Sequence, residues 1–226
     1  MNEPEQRHGS TATRVVVLSV AVVAVLLLGA AVGLLIQLPG RDGTSVPAAD
    51  SVDVGFAQDM AVHHLQGVTM ANLARDKTAD PAIEQLAFDI QSTQLEQVGR
   101  MKGWLTFWGR PEQSVDGTYM KWMEGSDHAH GGDAASAATT GLMPGMATSE
   151  ELNRLRRLTG TEFDVYFLQL MLRHHQGGAP MAEYGARNAT QPVVRTLADN
   201  MLRSQRGESE LMEKMLRERG AAPLEG

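Results

Sequence analysis

The chain has 226 residues, of which 5% are aromatic, a formal net charge of −7 and no cysteine. The lack of cysteine excludes disulfides, thiolate metal sites and a lipid-modified cysteine anchor. Because an acidic body repels nucleic acid and mildly concentrates cations, we expect no nucleic-acid partner.

The first element in chain order is an apolar segment without a charged residue, residues 15–38. At about 1.5 Å rise per residue, a helix of this length spans a hydrocarbon layer of roughly 30 Å. A cleavable signal has a shorter apolar region followed by a small-residue cleavage site, and no convincing site follows here. We therefore expect a single-pass signal anchor in the cell membrane, with residues 1–14 as a cytoplasmic tail and residues 39–50 as a linker. A cleaved, secreted form is the alternative.

The extracytoplasmic body is predicted to be one all-α domain over residues 51–220. Helical hairpins are expected at residues 51–109 and 161–220, joined by a crossover at residues 110–160. In the first hairpin, Asp80-Pro81 supplies a capping side chain and a proline suited to the first turn of a helix. Two hairpins of this size bury little alone but together form a four-helix bundle.

The two hairpins contain the same segment twice, at a constant offset of 111 residues, as between His63 and His174. The pattern Met-x-x-His-His-x5-Met recurs in register, together with a preceding aspartate and phenylalanine. On a helix, residues four and seven apart share a face, so each copy forms two adjacent stripes of ligand-type side chains. The candidate metal ligands are Met60, His63, His64, Met70, Met171, His174, His175 and Met181.

Further candidate groups lie at the start of each repeat and on the partner helices. The two aspartates either orient a histidine ring by accepting its second proton or stabilise the first turn of their helix. Gln97 in the first hairpin corresponds to Glu208 in the second, so the second half is more anionic. These candidates are Asp53, Asp164, Gln94, Gln97, Met101, Gln205, Glu208 and Met212.

The residue types favour copper over other metals. Imidazole suits several transition metals, whereas thioether sulfur selects soft Cu(I), so zinc remains an alternative. The crossover adds His128 and His130, which form either an auxiliary metal-capture segment or part of an ordinary linker. The competing interpretation of the repeated histidines is structural, with hydrogen bonds along a polar seam.

Catalysis is not favoured by the pattern. A di-iron oxidase requires Glu-x-x-His on two bundle helices, and the four predicted bundle helices contain none. The histidines also have no serine or cysteine partner at a recognisable nucleophile turn. We expect metal buffering or transfer. The alternative is a non-catalytic interaction module whose partner is an envelope protein or a second copy of the chain.

The segments from Phe163 to Ala182 and from Met143 to Thr148 resemble the bacterial domain-of-unknown-function family 305. The resemblance covers about residues 50–220 and implies a ferritin-like four-helix bundle in a secreted or membrane-tethered protein. Some members are implicated in periplasmic copper binding and resistance. The family's Gln-x-x-Glu is matched by Gln205 and Glu208, whereas the first hairpin has glutamine at both positions.

Overall fold

The structure is a computed structural model, and it describes residues 11–37, 46–124 and 141–224. The chain divides into two compact units, residues 1–45 and residues 46–226. All regular elements within the described ranges are helical. They are α1 (Thr11–Gln37), α2 (Val52–Lys77), α3 (Pro81–Phe107), the 3-10 turn η1 (Lys121–Met123), α4 (Ser149–Arg157), α5 (Gly160–Asn188) and α6 (Pro192–Glu218).

The first unit contains α1, the apolar helix that the composition predicted. Its span Thr13–Gly33 has 21 residues and a mean hydropathy of 3.0, with none of its surface buried. A helix of this length and composition is able to cross a membrane, and an N-terminal signal sequence has the same properties. The described part of the chain therefore confirms the apolar helix itself.

Local capping explains where the helices of the second unit begin. The hydroxyl of Ser51 accepts from the backbone N–H of Val54 at the start of α2. Asp80 accepts from the N–H of Ala82, and Pro81 occupies the first turn of α3. Thr148 and Glu151 form a reciprocal capping box at the start of α4. These side chains satisfy N–H groups that the first helical turn leaves unpaired.

The four long helices of this unit form the expected bundle. Helix α2 packs against α3, α5 packs against α6, and the two hairpins meet along α2 and α5. These two helices run antiparallel, because the start of α2 lies beside the end of α5 and the end of α2 beside the start of α5. The prediction of an all-α four-helix bundle is confirmed.

Asp53 and Asp164 connect the hairpins at opposite ends of this helix pair. Asp53 accepts from the backbone N–H groups of Thr190 (3.0 Å) and Gln191 (2.7 Å). Asp164 accepts from the hydroxyl of Thr78 at 2.7 Å. The expectation that these carboxylates orient histidine rings is wrong for this structure, since all their hydrogen bonds in the described residues go to the connection of the opposite hairpin. The reason is the antiparallel packing, which brings each aspartate to the far end of its neighbour.

Apolar side chains form two core clusters along the bundle. One surrounds the start of α2 and includes Phe56, Met60, Met101 and Met181. The other surrounds the end of α2 and includes Met70, Phe163, Met171 and Met212. The repeated histidines lie on α2 and α5 between the residues of these two clusters. The bundle therefore has a polar layer between two apolar layers.

A segment of the crossover, Leu142–Ala147, lies across α5 and is called the strap below. The side-chain amide of Gln66 donates to the carbonyl of Ala147 and accepts from its N–H, at 2.9 and 2.6 Å. Gly145 has a φ of 76°, which favours glycine. A Cβ on Gly177 would lie 2.3 Å from the carbonyl oxygen of Pro144. The strap thus contacts the helix backbone directly.

We predict that Gly177→Ala destabilises the protein by about 1 to 3 kcal/mol, because the added methyl must displace the strap. The matched control is Gly207→Ala on α6, where a Cβ meets nothing within 4 Å. That change should stabilise by about 0.5 to 1 kcal/mol through helix propensity. Urea unfolding of the full-length chain measures both. Equal stability of the two variants would contradict the close contact.

Candidate metal centre

Four histidine side chains meet in the polar layer where α2 and α5 cross. The rings of His63 and His174 are stacked, with centroids 3.9 Å apart and planes inclined by 30°. Each of these rings lies about 6 Å from the second histidine of its own helix. All four residues, His63, His64, His174 and His175, are at most 1% exposed. The structure therefore brings the repeated histidines together in the interior.

The recurring glycines Gly67 and Gly178 make this approach possible. A Cβ on Gly67 would lie 3.0 Å from Cε1 of His174 and 2.2 Å from Oε1 of Gln94. A Cβ on Gly178 would lie 3.0 Å from Cε1 of His63 and 3.5 Å from Oε1 of Gln205. Each glycine thus accommodates the first histidine of the opposite hairpin and a glutamine of its own. This exchange could not be predicted from the sequence, although the two glycines recur in register.

The Nε2 atom of every ring faces an oxygen acceptor. His63 Nε2 lies 3.0 Å from the carbonyl of Pro144, and His174 Nε2 lies 2.9 Å from the carbonyl of His63. A carbonyl oxygen only accepts hydrogen bonds, so Nε2 of both rings donates and carries the proton. In a neutral imidazole the other nitrogen, Nδ1, then has the free lone pair.

The second histidine of each pair contacts the partner helix of its own hairpin. His64 Nε2 lies 2.7 Å from Oε1 of Gln97, and His175 Nε2 lies 2.6 Å from Oε2 of Glu208. These are the facing residues that the sequence predicted. The second hairpin therefore places a carboxylate where the first places a neutral amide.

Each ring has a buried nitrogen without a hydrogen-bond partner in the described part of the chain. These atoms are Nδ1 of all four histidines, and both amide atoms of Gln94 and Gln205 likewise have no partner among the described residues. A buried polar group without a partner costs about 1 to 3 kcal/mol, and such groups are uncommon in folded proteins. Lone pairs of imidazole nitrogen and amide oxygen are metal ligands, so these atoms are candidate ligands for a metal ion.

Burial keeps the imidazoles of His63, His64 and His174 neutral. Desolvation lowers the pKa of His63 to about 4, although its bond to the Pro144 carbonyl opposes the change. Desolvation and then the neighbouring His63 lower the pKa of His64 to about 3. The pKa of His174 is lowered well below its ordinary value, first by burial and then by His63. Neutral imidazole is the form that binds metal ions.

Within the described ranges, no three histidine, aspartate or glutamate side chains are arranged to hold one ion. Any ion in this layer would therefore need thioether or amide ligands in addition to imidazole. The apolar layers on either side supply thioethers that are fully buried, from Met60, Met70, Met171 and Met181. Met60 and Met181 belong to one cluster, and Met70 and Met171 to the other. This donor set favours a soft ion.

The remaining candidates are distributed differently. Met101 packs in the cluster around the start of α2, and Met212 packs in the other. His128 and His130 lie outside the described residues. The carbonyl of Pro144 is a site group that sequence analysis missed. Its only signal was the motif Met143-Pro-Gly-Met146 in an otherwise small and polar crossover.

Together, the fold and the polar layer define a duplicated four-helix bundle centred on buried histidines. The chain belongs to the DUF305 family, a domain of unknown function, whose family profile matches residues 53–216. This match covers both hairpins and the crossover, and it confirms the resemblance found in the sequence. A comparison with curated proteins gave no match.

Solved structures support the family assignment. A DUF305 protein from Streptomyces coelicolor assigned as secreted is 43% identical, with a TM-score of 0.69, over 79% of this chain and 100% of its own. A DUF305 fragment from Deinococcus radiodurans is 30% identical, with a TM-score of 0.58, over 74% and 96%. CopM in a Cu(II)-bound form is 28% identical, with a TM-score of 0.55, over 74% and 96%. CopM has also been solved in a Cu(I)-bound form.

We predict that the metal-free protein loses stability as the pH falls from about 6.5 towards 4. The unfolded chain binds protons on histidine near pH 6.5, whereas His63 and His64 in the folded state bind them only near pH 4 and 3. Stability is therefore fully present above pH 6.5, and each such histidine removes about 1.4 kcal/mol per pH unit below it.

Urea unfolding of the full-length chain at pH 7.0 and 5.5 measures this loss. His64→Gln removes one of the titrating groups while retaining a side chain that is able to bond Gln97, so the dependence on pH should become shallower. A dependence that is the same in the variant would contradict the assignment to these rings.

Proposed function

We propose that this protein is a membrane-anchored, extracytoplasmic metal-binding protein that buffers or transfers copper. The observation that carries the proposal is the set of four buried Nδ1 atoms that have no hydrogen-bond partner among the described residues, in a layer between two clusters that contain buried methionines. Copper-bound forms of the family relative CopM support the same metal. A four-helix bundle without Glu-x-x-His on any of its helices gives no support to di-iron catalysis.

The proposed ligands come from both repeats. The imidazoles would bind through Nδ1, since Nε2 of each ring faces an oxygen acceptor. Thioethers stabilise Cu(I), and buried neutral imidazoles accept either oxidation state of copper. The proposed ligand set is Met60, His63, His64, Met70, Met171, His174, His175 and Met181, with the amides of Gln94 and Gln205 nearest to the first histidines.

Gln97 and Glu208 would influence metal binding indirectly, through their hydrogen bonds to the rings of His64 and His175. A group that accepts the second ring proton fixes the orientation of a histidine and raises its basicity. The carboxylate of Glu208 should raise basicity more than the amide of Gln97, because its negative charge stabilises positive charge on the ring. The half of the site that contains His175 is therefore expected to hold a cation more tightly.

We predict that the full-length, detergent-solubilised protein binds Cu(I) stoichiometrically in competition with a chromogenic chelator under anaerobic conditions. Replacing all four histidines by glutamine should abolish this binding, because imidazole nitrogen is then absent from the layer. Copper should also raise the melting temperature, since a ligand at 100 times its Kd adds about 2.7 kcal/mol of stability.

Methionine variants keep the test interpretable if the histidine variant does not fold. Changing Met60 and Met181 to leucine conserves volume and should reduce sulfur scattering in the copper X-ray absorption spectrum. Met201→Leu, equally buried in the same cluster, is the matched control and should leave the spectrum unchanged. Glu208→Gln should weaken the site by removing its charge.

Unchanged copper affinity in the histidine variant would refute the assignment of the site. Binding of Zn²⁺ in preference to Cu(I) would refute the choice of metal. A histidine variant at positions 128 and 130 tests the crossover separately. If no metal raises the melting temperature, the histidines are structural and the protein is better described as an envelope interaction module.

We further propose that residues 15–38 remain as a membrane anchor, with residues 1–14 cytoplasmic and the bundle outside. The length and hydropathy of α1 support this arrangement. The full-length chain should then stay in the membrane fraction after alkaline carbonate extraction, and its intact mass should include the N-terminal residues. Recovery of a chain shortened to the start of the bundle would instead show cleavage and secretion.

A further inference from the structure

A pocket near the start of α2 is lined by residues that are not among the proposed copper ligands. Its volume is about 300 Å³, at the lower end of the range for small-molecule sites. One wall is the first two turns of α2, and the other is the segment 114–122, which includes the start of η1.

Two buried side chains each present an unused oxygen to this pocket. Gln58 is 8% exposed, and its Nε2 donates to the carbonyls of Pro111 (2.8 Å) and Gln113 (3.3 Å). These two bonds fix the orientation of the amide, and Oε1 accepts nothing from the described residues. Asp59 is 3% exposed, and its Oδ2 accepts from the N–H of Met120 at 2.7 Å.

The indole of Trp122 also donates to Oδ2 of Asp59, at 2.8 Å. The other carboxylate oxygen, Oδ1, has no donor among the residues that the structure describes. Asp59 and Gln58 both line the pocket, so each offers it one free acceptor.

The side-chain donors of the facing wall are directed at one carboxylate. The hydroxyls of Ser114 and Thr118 donate to Asp116, at 2.7 and 2.5 Å, and the ammonium of Lys121 forms an ion pair with the same carboxylate. Asp50 adds a further carboxylate to the lining. With Lys121 neutralised by Asp116, a ligand that complements Asp59 and Gln58 must contribute hydrogen-bond donors, and positive charge suits the remaining carboxylates.

Trp122 forms a fixed aromatic wall of the pocket. Its ring contacts Phe56 and Tyr184 edge to face, with centroids 5.8 and 5.7 Å away. A Cβ on Gly55 would lie only 2.5 Å from the indole, so the indole can pack in this position only against a glycine. An immobile indole next to a carboxylate favours a ligand with a cationic head and an apolar body.

Comparison of the two repeats shows that the fold does not require this arrangement. Asp59 corresponds to Leu170, which is fully buried in the second hairpin, and Gly55 corresponds to Tyr166. A buried carboxylate in place of leucine costs stability unless it is fully paired. The first hairpin carries this cost at a position where its duplicate has an ordinary core residue.

We propose that the pocket binds a small organic cation with a primary ammonium group, its nitrogen donating to Asp59 and Gln58 and its chain lying against Trp122. An ammonium carries three donors and matches several acceptors at once. A hard divalent ion is a poorer match, because Ca²⁺ and Mg²⁺ need about six oxygen ligands, and one wall here is an indole.

The test uses the full-length, ¹⁵N-labelled protein in detergent with n-butylammonium as the probe. Butylammonium should shift the indole N–H resonance of Trp122 saturably, whereas n-butanol, which matches its chain but lacks the charge, should not. Asp59→Asn keeps an oxygen for Met120 and Trp122 but turns an NH₂ donor towards the pocket, so affinity should fall at least tenfold.

The control is Asp199→Asn on α6, an exposed carboxylate whose removal changes net charge equally and should leave the affinity unchanged. The proposal is overturned if butylammonium does not saturate the signal, if butanol shifts it as strongly, or if Mg²⁺ saturates it in place of the ammonium. Equal affinity in a folded Asp59→Asn variant also overturns it. The comparison of butylammonium with butanol needs only the wild-type protein.

Discussion

The close crossing of α2 and α5 is the constraint on which the rest of this bundle depends. Stacking His63 on His174 brings the helices close together at Gly67 and Gly178, where a Cβ would lie 3.0 Å from the opposing ring. Once the crossing is fixed, the antiparallel direction brings the end of each helix to the connection of the other hairpin. Asp53 then pairs with the N–H groups that follow α5. One contact thus sets the alignment of both hairpins.

The crossover gives His63 a different hydrogen-bond acceptor from that of its repeat counterpart His174. In a fully symmetric bundle, His63 and His174 would each donate to the carbonyl of the other. His174 does donate to His63, but His63 donates to Pro144 in the strap. The strap is in turn held by Gln66 and by contact with Gly177. The ring of His63 is therefore bonded to a loop, whereas the ring of His174 is bonded to a helix, and loops open at a lower free-energy cost.

Most of the fold could be predicted from local signals. Asp80-Pro81 and the capping box at Thr148 mark helix starts by chemistry that operates within one turn, and the duplication indicates how the hairpins combine. The candidate site was predictable only as a set of residues. Which ring nitrogen is free depends on acceptors far away in sequence, such as Pro144. The hydrogen bonds of Asp53 to Thr190 and Gln191 could not be predicted for the same reason. Helical periodicity shows which residues of one helix share a face, but it does not show which part of another helix lies beside them.

The polar layer also explains why the chain contains the hairpin twice. Unpartnered Nδ1 and amide atoms destabilise the folded state, and the apolar layers on both sides must offset that cost. Beside Gly67, Gln94 of the first hairpin lies close to His174 of the second, and beside Gly178, Gln205 of the second hairpin lies close to His63 of the first. A cation bound there would stabilise only the complete bundle, since binding to the folded state alone shifts the folding equilibrium. The layer thus couples any bound ion to the association of the two repeats.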